Sequence, residues 1–138
     1  MDYRMKKFLL KAQDNQLIFS DIDTIHWFIK FCIEYFNEAY VHKIYMLGSR
    51  ASGVDSRGKE VRADSDHDFY LVLNDNVTFE IHTGSSEWSR FFNEMTISRV
   101  TAGIGPIDVF VCRSTDFYHS VQDPNSPASK AVTGILLI

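Results

Sequence analysis

Two stretches decide the fold of this chain: Val-His-Lys-Ile-Tyr-Met-Leu-Gly-Ser at residues 41–49 and Asp-His-Asp-Phe-Tyr-Leu-Val-Leu at residues 66–73. Each holds an apolar run with the length and the β-branched and aromatic content that are typical of a strand. The first run ends abruptly at Gly48, and the second follows a pair of aspartates. The sequence therefore predicts strands over 41–47 and 67–73, with polar groups where the first ends and the second begins.

The rest of the chain adds helices and a third strand. Ile25, Phe28, Ile29 and Cys32 recur at helical spacing, which predicts a helix over 21–39 with Ser20 as its cap. The other predicted elements are helices over 3–12, 85–100 and 115–121, a short helix from Ser126 to Gly134, strands over 77–82 and 107–112, and a last strand or docking segment over 135–138. This order predicts one α/β (α+β) domain over residues 1–138, with a small mixed β-sheet and helices packed on one face.

Bulk composition narrows the class of protein. A length of 138 residues suits a single domain, and a formal charge of −4 argues against an extended nucleic-acid surface. There is no apolar run of membrane-spanning length, so no membrane association is expected. The two cysteines lie in apolar stretches without metal-site spacing, which favours a reducing, cytoplasmic location.

Three aspartates are candidate metal ligands. Side chains alternate along a strand, so Asp66 and Asp68 face one way, whereas His67 faces the other way and is expected to be a packed or surface histidine and not a ligand. Two carboxylates side by side repel each other unless a cation lies between them. Asp108 is a third acid inside an apolar strand, where an unpaired charge is costly. If the two strands are neighbours, these oxygen ligands suit Mg²⁺ or Mn²⁺.

The turn after the first strand is a candidate phosphate cradle. Gly48 allows a ligand to approach the backbone closely, and the Ser49 hydroxyl adds a donor for an anion. Arg50 and Ser52 follow as candidate phosphate contacts, although Ser52 is equally suited to capping the next turn. A phosphate cradle beside metal carboxylates is the arrangement needed for in-line displacement at phosphorus.

Residues 47–53 read Leu-Gly-Ser-Arg-Ala-Ser-Gly, and residues 64–69 read Asp-Ser-Asp-His-Asp-Phe. Together with Asp108 in the later strand, they resemble the signature of the DNA polymerase beta-like nucleotidyltransferase superfamily. The short chain is similar to the minimal nucleotidyltransferases of that superfamily. The resemblance covers residues 44–73 and 107–111. The connection from residue 50 to residue 65 is longer than in the minimal members, so the nucleotide and the acceptor stay open.

The resemblance implies a role for each motif. Asp66 and Asp68 would bind both metal ions, and Asp108 would bind the catalytic metal and help to activate the attacking hydroxyl. Gly48 and Ser49 would hold the β- and γ-phosphates, so that pyrophosphate leaves. The implied activity is transfer of a nucleoside monophosphate, from ATP by default, to a hydroxyl on a protein or a small molecule.

Two other functions compete with this one. The same fold could serve as an antitoxin or regulatory module that acts mainly by docking to a partner protein such as a toxin. The short chain leaves little room for an acceptor-binding domain, so the acceptor would come from a partner protein or from a second copy in a homodimer. A sugar-nucleotide transferase using Asp-x-Asp is less favoured, because the Gly-Ser turn is then unexplained.

Overall fold

The computed structural model describes residues 19–52, 66–80 and 84–138. The helix predicted over 3–12 and most of the connection between residues 50 and 65 lie outside them. The elements are α1 (Phe19–Phe36), β1 (Val41–Leu47), α2 (Ser49–Ser52), β2 (His67–Leu73), α3 (Ser86–Thr101), β3 (Ile107–Arg113), α4 (Ser114–Ser120), α5 (Pro127–Val132) and β4 (Ile135–Leu136). Within the described part of the chain, no helix has the length and apolar character needed to cross a membrane.

The four strands form one mixed sheet in the order β3-β2-β1-β4. Strand β1 is antiparallel to both β2 and β4, and β3 is parallel to β2. A parallel pair needs a long crossover, which the segment containing α3 supplies. In this register Leu47 lies opposite Asp68, and Asp68 lies opposite Asp108. The end of β1 and the beginnings of β2 and β3 therefore meet at one end of the sheet.

Helices pack on both faces of the sheet, so the prediction of helices on one face is wrong. Phe69 and Leu71 of β2 belong to a core shared with α1 and α3 on the first face. On the second face, Tyr70 and Val72 of β2 form another hydrophobic core with Phe117 of α4 and with residues of α5. Nearly every residue of β2 is buried. A strand that is apolar on both sides needs cover on both sides, as in parallel sheets.

Helix α1 follows the predicted period, since Ile25, Phe28, Ile29 and Cys32 are fully buried. The ring of Phe28 stacks on Phe69 of β2 at 4.3 Å between centroids. The helix begins at Phe19, so Ser20 lies inside it and is not its cap. It ends at Phe36, because the next residue, an asparagine, adopts a positive φ of 72°.

The C-terminal elements also match their sequence patterns. Ser126 caps α5 by accepting a hydrogen bond from the Ser129 amide at 3.1 Å, and Pro127 occupies the first turn. Residues 77–80 are not in a strand, so this part of the prediction over 77–82 is wrong. The Arg113 guanidinium donates to the carbonyls of Val77 and Phe79 at 3.2 and 2.7 Å, which takes up oxygens that a strand would pair.

Asp75 ties the loop after β2 to the start of α4. It accepts hydrogen bonds from the Ser114 hydroxyl at 3.1 Å, from the Thr115 amide at 3.0 Å and from the Thr115 hydroxyl. The bond from the Thr115 hydroxyl is the main cause that holds the pKa of Asp75 below its ordinary value, and the bond from the Thr115 amide comes next. An aspartate whose pKa is lower in the folded chain than in the unfolded chain stabilises the fold at pH values above its ordinary pKa. This contribution is lost as the pH falls through the folded-state pKa.

We therefore expect Asp75→Ala to lower the melting temperature at pH 7. The difference from the unmodified chain should shrink as the pH falls below about 4, where the unfolded chain takes up the proton first, and should be smallest below the lowered folded-state pKa, where the aspartate is protonated in both states. Thermal melting across pH measures the effect, with Asp23→Ala on the exposed side of α1 as the control. A difference that stays constant at acid pH would show that the Asp75 carboxylate charge plays no part.

Candidate active site

Asp68 and Asp108 lie side by side at the end of the sheet. They are register partners in adjacent parallel strands, so both point to the second face. Asp66 precedes β2 by one residue, and the His67 amide donates to the Pro106 carbonyl at 3.2 Å, which holds the two strand beginnings together. The expectation that strands 67–73 and 107–112 are neighbours is confirmed.

The three carboxylates influence one another electrostatically. Burial raises the pKa of Asp68 above its ordinary value, and the negative charges of Asp108 and then Asp66 raise it further. Asp68 is half-buried, whereas Asp66 and Asp108 are exposed. The fold therefore concentrates negative charge around one partly desolvated carboxylate, which is a feature that recurs at functional sites.

Gly48 is in direct contact with this carboxylate. It adopts a φ of 76°, and a Cβ placed on it would overlap Oδ2 of Asp68 and lie 3.2 Å from its Cγ. A side chain at this position would strain the backbone and would also require the aspartate side chain to move. The Gly-Ser turn and the carboxylates thus form one continuous surface across β1, β2 and β3.

The remaining candidates for phosphate binding begin at this turn. Ser49 opens α2 and is half-buried, and the Ala51 amide donates to the Gly48 carbonyl at 3.1 Å. Arg50 is only 9 % exposed. Ser52 closes α2, and its side chain lies outside the described part of the structure. A phosphate contact through Ser49, Arg50 or Ser52 stays a prediction.

His67 lies on the other side of the sheet. It is 5 % exposed, and its ring stacks over Phe69 at 6.2 Å between centroids. His67 is therefore packed, which is one of the two placements that the sequence left open, and it lies apart from the aspartates.

A metal ion would need oxygen ligands from this group. Over residues 19–52, 66–80 and 84–138, no three His, Cys, Asp or Glu side chains converge closely enough to hold a metal ion by themselves. Mg²⁺ at phosphate-transfer sites is usually held by one or two carboxylates together with substrate phosphates and water. Asp68 and Asp108 are adjacent in register, and a metal ion held by them, alone or with Asp66, stays a prediction.

The sequence reasoning missed Phe110. It lies two residues after Asp108, on the same face, and its side chain is 41 % exposed. Its ring stacks on Tyr70 at 5.7 Å and 19°, and Tyr70 in turn contacts Phe117 of α4. Strand alternation alone would have placed this aromatic residue beside the third aspartate.

A separate cavity of about 360 Å³ lies at the opposite end of the sheet, lined by residues that include Tyr40, Phe79 and Arg90.

Comparison with protein-family models, curated proteins and solved structures found no match to this chain.

Proposed function

We propose that this chain is a metal-dependent nucleotidyltransferase with the fold of the minimal nucleotidyltransferases, which moves a nucleoside monophosphate from a triphosphate to a hydroxyl acceptor. ATP is the expected donor, and pyrophosphate is the expected product. One observation carries the proposal: the Asp68 carboxylate fits against Gly48 on one side and pairs in register with Asp108 on the other.

The electrostatics of Asp68 favour a cationic ligand. A carboxylate whose pKa is raised by burial and by two acidic neighbours is destabilised in its charged form. Mg²⁺ or Mn²⁺, bound together with the triphosphate, would supply positive charge that offsets both the carboxylates and the phosphates. Asp66, Asp68 and Asp108 would hold that ion, and the open backbone at Gly48 and Ser49 would hold the outer phosphates.

The order of these groups across the sheet supports one direction of attack on the phosphorus. Gly48, Asp68 and Asp108 follow one another from β1 through β2 to β3. In-line transfer puts the attacking and leaving oxygens on opposite sides of the phosphorus. Because the outer phosphates are held at Gly48, the pyrophosphate leaves on the β1 side of the phosphorus. The acceptor hydroxyl then attacks from the β3 side, where Asp108 orients it and accepts its proton.

The activity can be tested with ATP labelled at either the α- or the γ-phosphorus. The purified chain is incubated with each label, Mg²⁺ or Mn²⁺, and hydroxyl acceptors that include peptides, nucleosides and the chain itself. We expect the α-label to become attached to an acceptor and the γ-label to leave as pyrophosphate, only when metal is present. Transfer of the γ-label would indicate a kinase instead.

The matched variant is Asp66→Ala combined with Asp68→Ala, which should abolish the transfer. Transfer that survives both substitutions would refute the assigned site. A stable complex with a partner protein, with no transfer of either label, would favour the docking-module function.

A further inference from the structure

The exposed ring of Phe110 lies two residues along β3 from Asp108, and one side of it is packed against the Tyr70 ring of the neighbouring strand. Its centroid is 5.7 Å from that of Tyr70, with the rings inclined by only 19°. Tyr70 is 8 % exposed and packs edge-on against Phe117, which is fully buried. Phe110 is therefore the outermost member of a packed aromatic row, and part of its surface is open to solvent.

The position of Phe110 relative to the carboxylates follows from strand geometry. Two residues along a strand advance roughly 7 Å and return to the same face. Phe110 thus lies one such step from Asp108, in the direction away from the Gly48 turn.

The nucleoside has a restricted direction in which to extend. In the proposed reaction, the attacking and leaving oxygens lie on a line that runs across the strands, from β3 to β1. The bond from the phosphorus to the ribose oxygen therefore points at right angles to that line. Along the strands, the second face leads from the carboxylates directly to Tyr70 and Phe110. Tyr70 is covered by α4, and Phe110 is the ring of the pair that a ligand can reach.

We propose that the exposed face of Phe110 is the platform on which the base of the donor nucleotide stacks. The inference rests on the proposed function for the position of the phosphates. Stacking uses the π-face that every base has and does not read the base edge. All four nucleoside triphosphates should therefore bind, and the larger purines should bind more tightly than the pyrimidines.

The test compares an ATP analogue with a ligand that has a similar chain of three phosphorus atoms but no nucleoside. The dissociation constants of the α,β-methylene analogue of ATP, which cannot transfer, and of inorganic tripolyphosphate are measured with Mg²⁺ by equilibrium dialysis. Phe110→Ala should weaken binding of the analogue about 5- to 150-fold, which corresponds to the loss of one base–aromatic stack. Binding of tripolyphosphate should be unchanged, and Phe110→Trp should bind the analogue at least as tightly as the unmodified chain.

Two further variants separate stacking from packing. Phe110→Leu keeps apolar contact with Tyr70 but has no flat ring, so it should weaken analogue binding almost as much as the alanine. If Phe110→Ala fails to fold, Phe110→Leu replaces it in the comparison of dissociation constants. Tyr118→Ala removes an exposed aromatic side chain of α4 that bonds to His42, at the other end of β1, and should leave both dissociation constants unchanged.

The outcomes distinguish this inference from the proposed function. Selective loss of analogue binding in Phe110→Ala or Phe110→Leu supports the platform even if no nucleotidyl transfer is ever detected. Equal binding of the analogue by the variants and the unmodified chain overturns the platform and leaves the transferase proposal intact. Parallel weakening of tripolyphosphate overturns it too, and so does a chain that binds no nucleotide.

Discussion

Gly48→Ala should abolish nucleotidyl transfer and destabilise the fold. The backbone at this position has a φ of 76°, which costs an L-residue about 1–2 kcal/mol. The new Cβ would also overlap Oδ2 of Asp68, so either the turn or the carboxylate must move. Displacement of a positioned catalytic group costs about 10²-fold or more in rate. Urea denaturation and the labelled-ATP assay measure the two effects.

Gly103 is a matched control within the same chain. Its φ is 74°, close to that of Gly48, but a Cβ there meets nothing within 4 Å. Gly103→Ala therefore carries the backbone strain without the collision. Its free energy of unfolding should fall less than that of Gly48→Ala, and its transfer activity should be unchanged. Equal destabilisation by the two alanines would show that the contact with Asp68 is unimportant.

A double variant isolates the contact itself. In an Asp68→Ala background, the carboxylate that the Gly48→Ala methyl meets is gone, so only backbone strain should remain. The cost of Gly48→Ala in that background should approach the cost of Gly103→Ala. Additive costs would contradict the contact, because residues that touch are expected to show a coupling energy.

Periodicity in the sequence predicted most of the elements. The spacing of Ile25, Phe28 and Ile29 predicted α1, and the apolar runs predicted β1, β2 and β3. These signals are local, because a helix or strand buries one set of positions that repeats along the chain. The pairing of the acids at 68 and 108 was predicted only on the condition that their strands are neighbours; each is the second residue of its strand, and the two strands are parallel neighbours in register.

Long-range contacts were not predictable in this way. Nothing local indicates that the Gly48 backbone lies against Asp68, since this contact depends on the register of β1 with β2. Cover on both faces of the sheet depends on α4 and α5 folding back, and Arg113 takes the carbonyls of a segment that looked like a strand. Each outcome was decided by pairing between distant parts of the chain.

Asp68→Asn is expected to lose transfer activity and, without metal, to gain stability. The amide keeps the shape of the carboxylate but not the charge that a metal ion needs, so transfer should fall by about 10²- to 10³-fold or more, as when one preorganised electrostatic group is removed. The charged form is destabilised by burial and by Asp108 and Asp66, so the neutral amide removes that penalty. The labelled-ATP assay and thermal melting in EDTA measure the two changes.

The pH dependence of stability follows with a definite sign. Because the folded-state pKa of Asp68 is raised, the folded chain holds this proton more tightly than the unfolded chain does. Its contribution to stability is therefore present below the ordinary aspartate pKa of about 3.9, and is lost as the pH rises through the raised value. Asparagine does not titrate, so Asp68→Asn should avoid this loss, and its gain in melting temperature should be largest at neutral pH and vanish in acid.

Metal ions should reverse the order of stability. Ligands that bind only the folded state raise its stability, so Mg²⁺ with the ATP analogue should raise the melting temperature of the unmodified chain but not that of Asp68→Asn. Asp116→Asn removes the same charge from an exposed position on α4 and should respond to Mg²⁺ as the unmodified chain does. If Asp68→Asn instead melts lower in EDTA, hydrogen bonds already satisfy the carboxylate within the fold, and the case for a cation beside Asp108 fails.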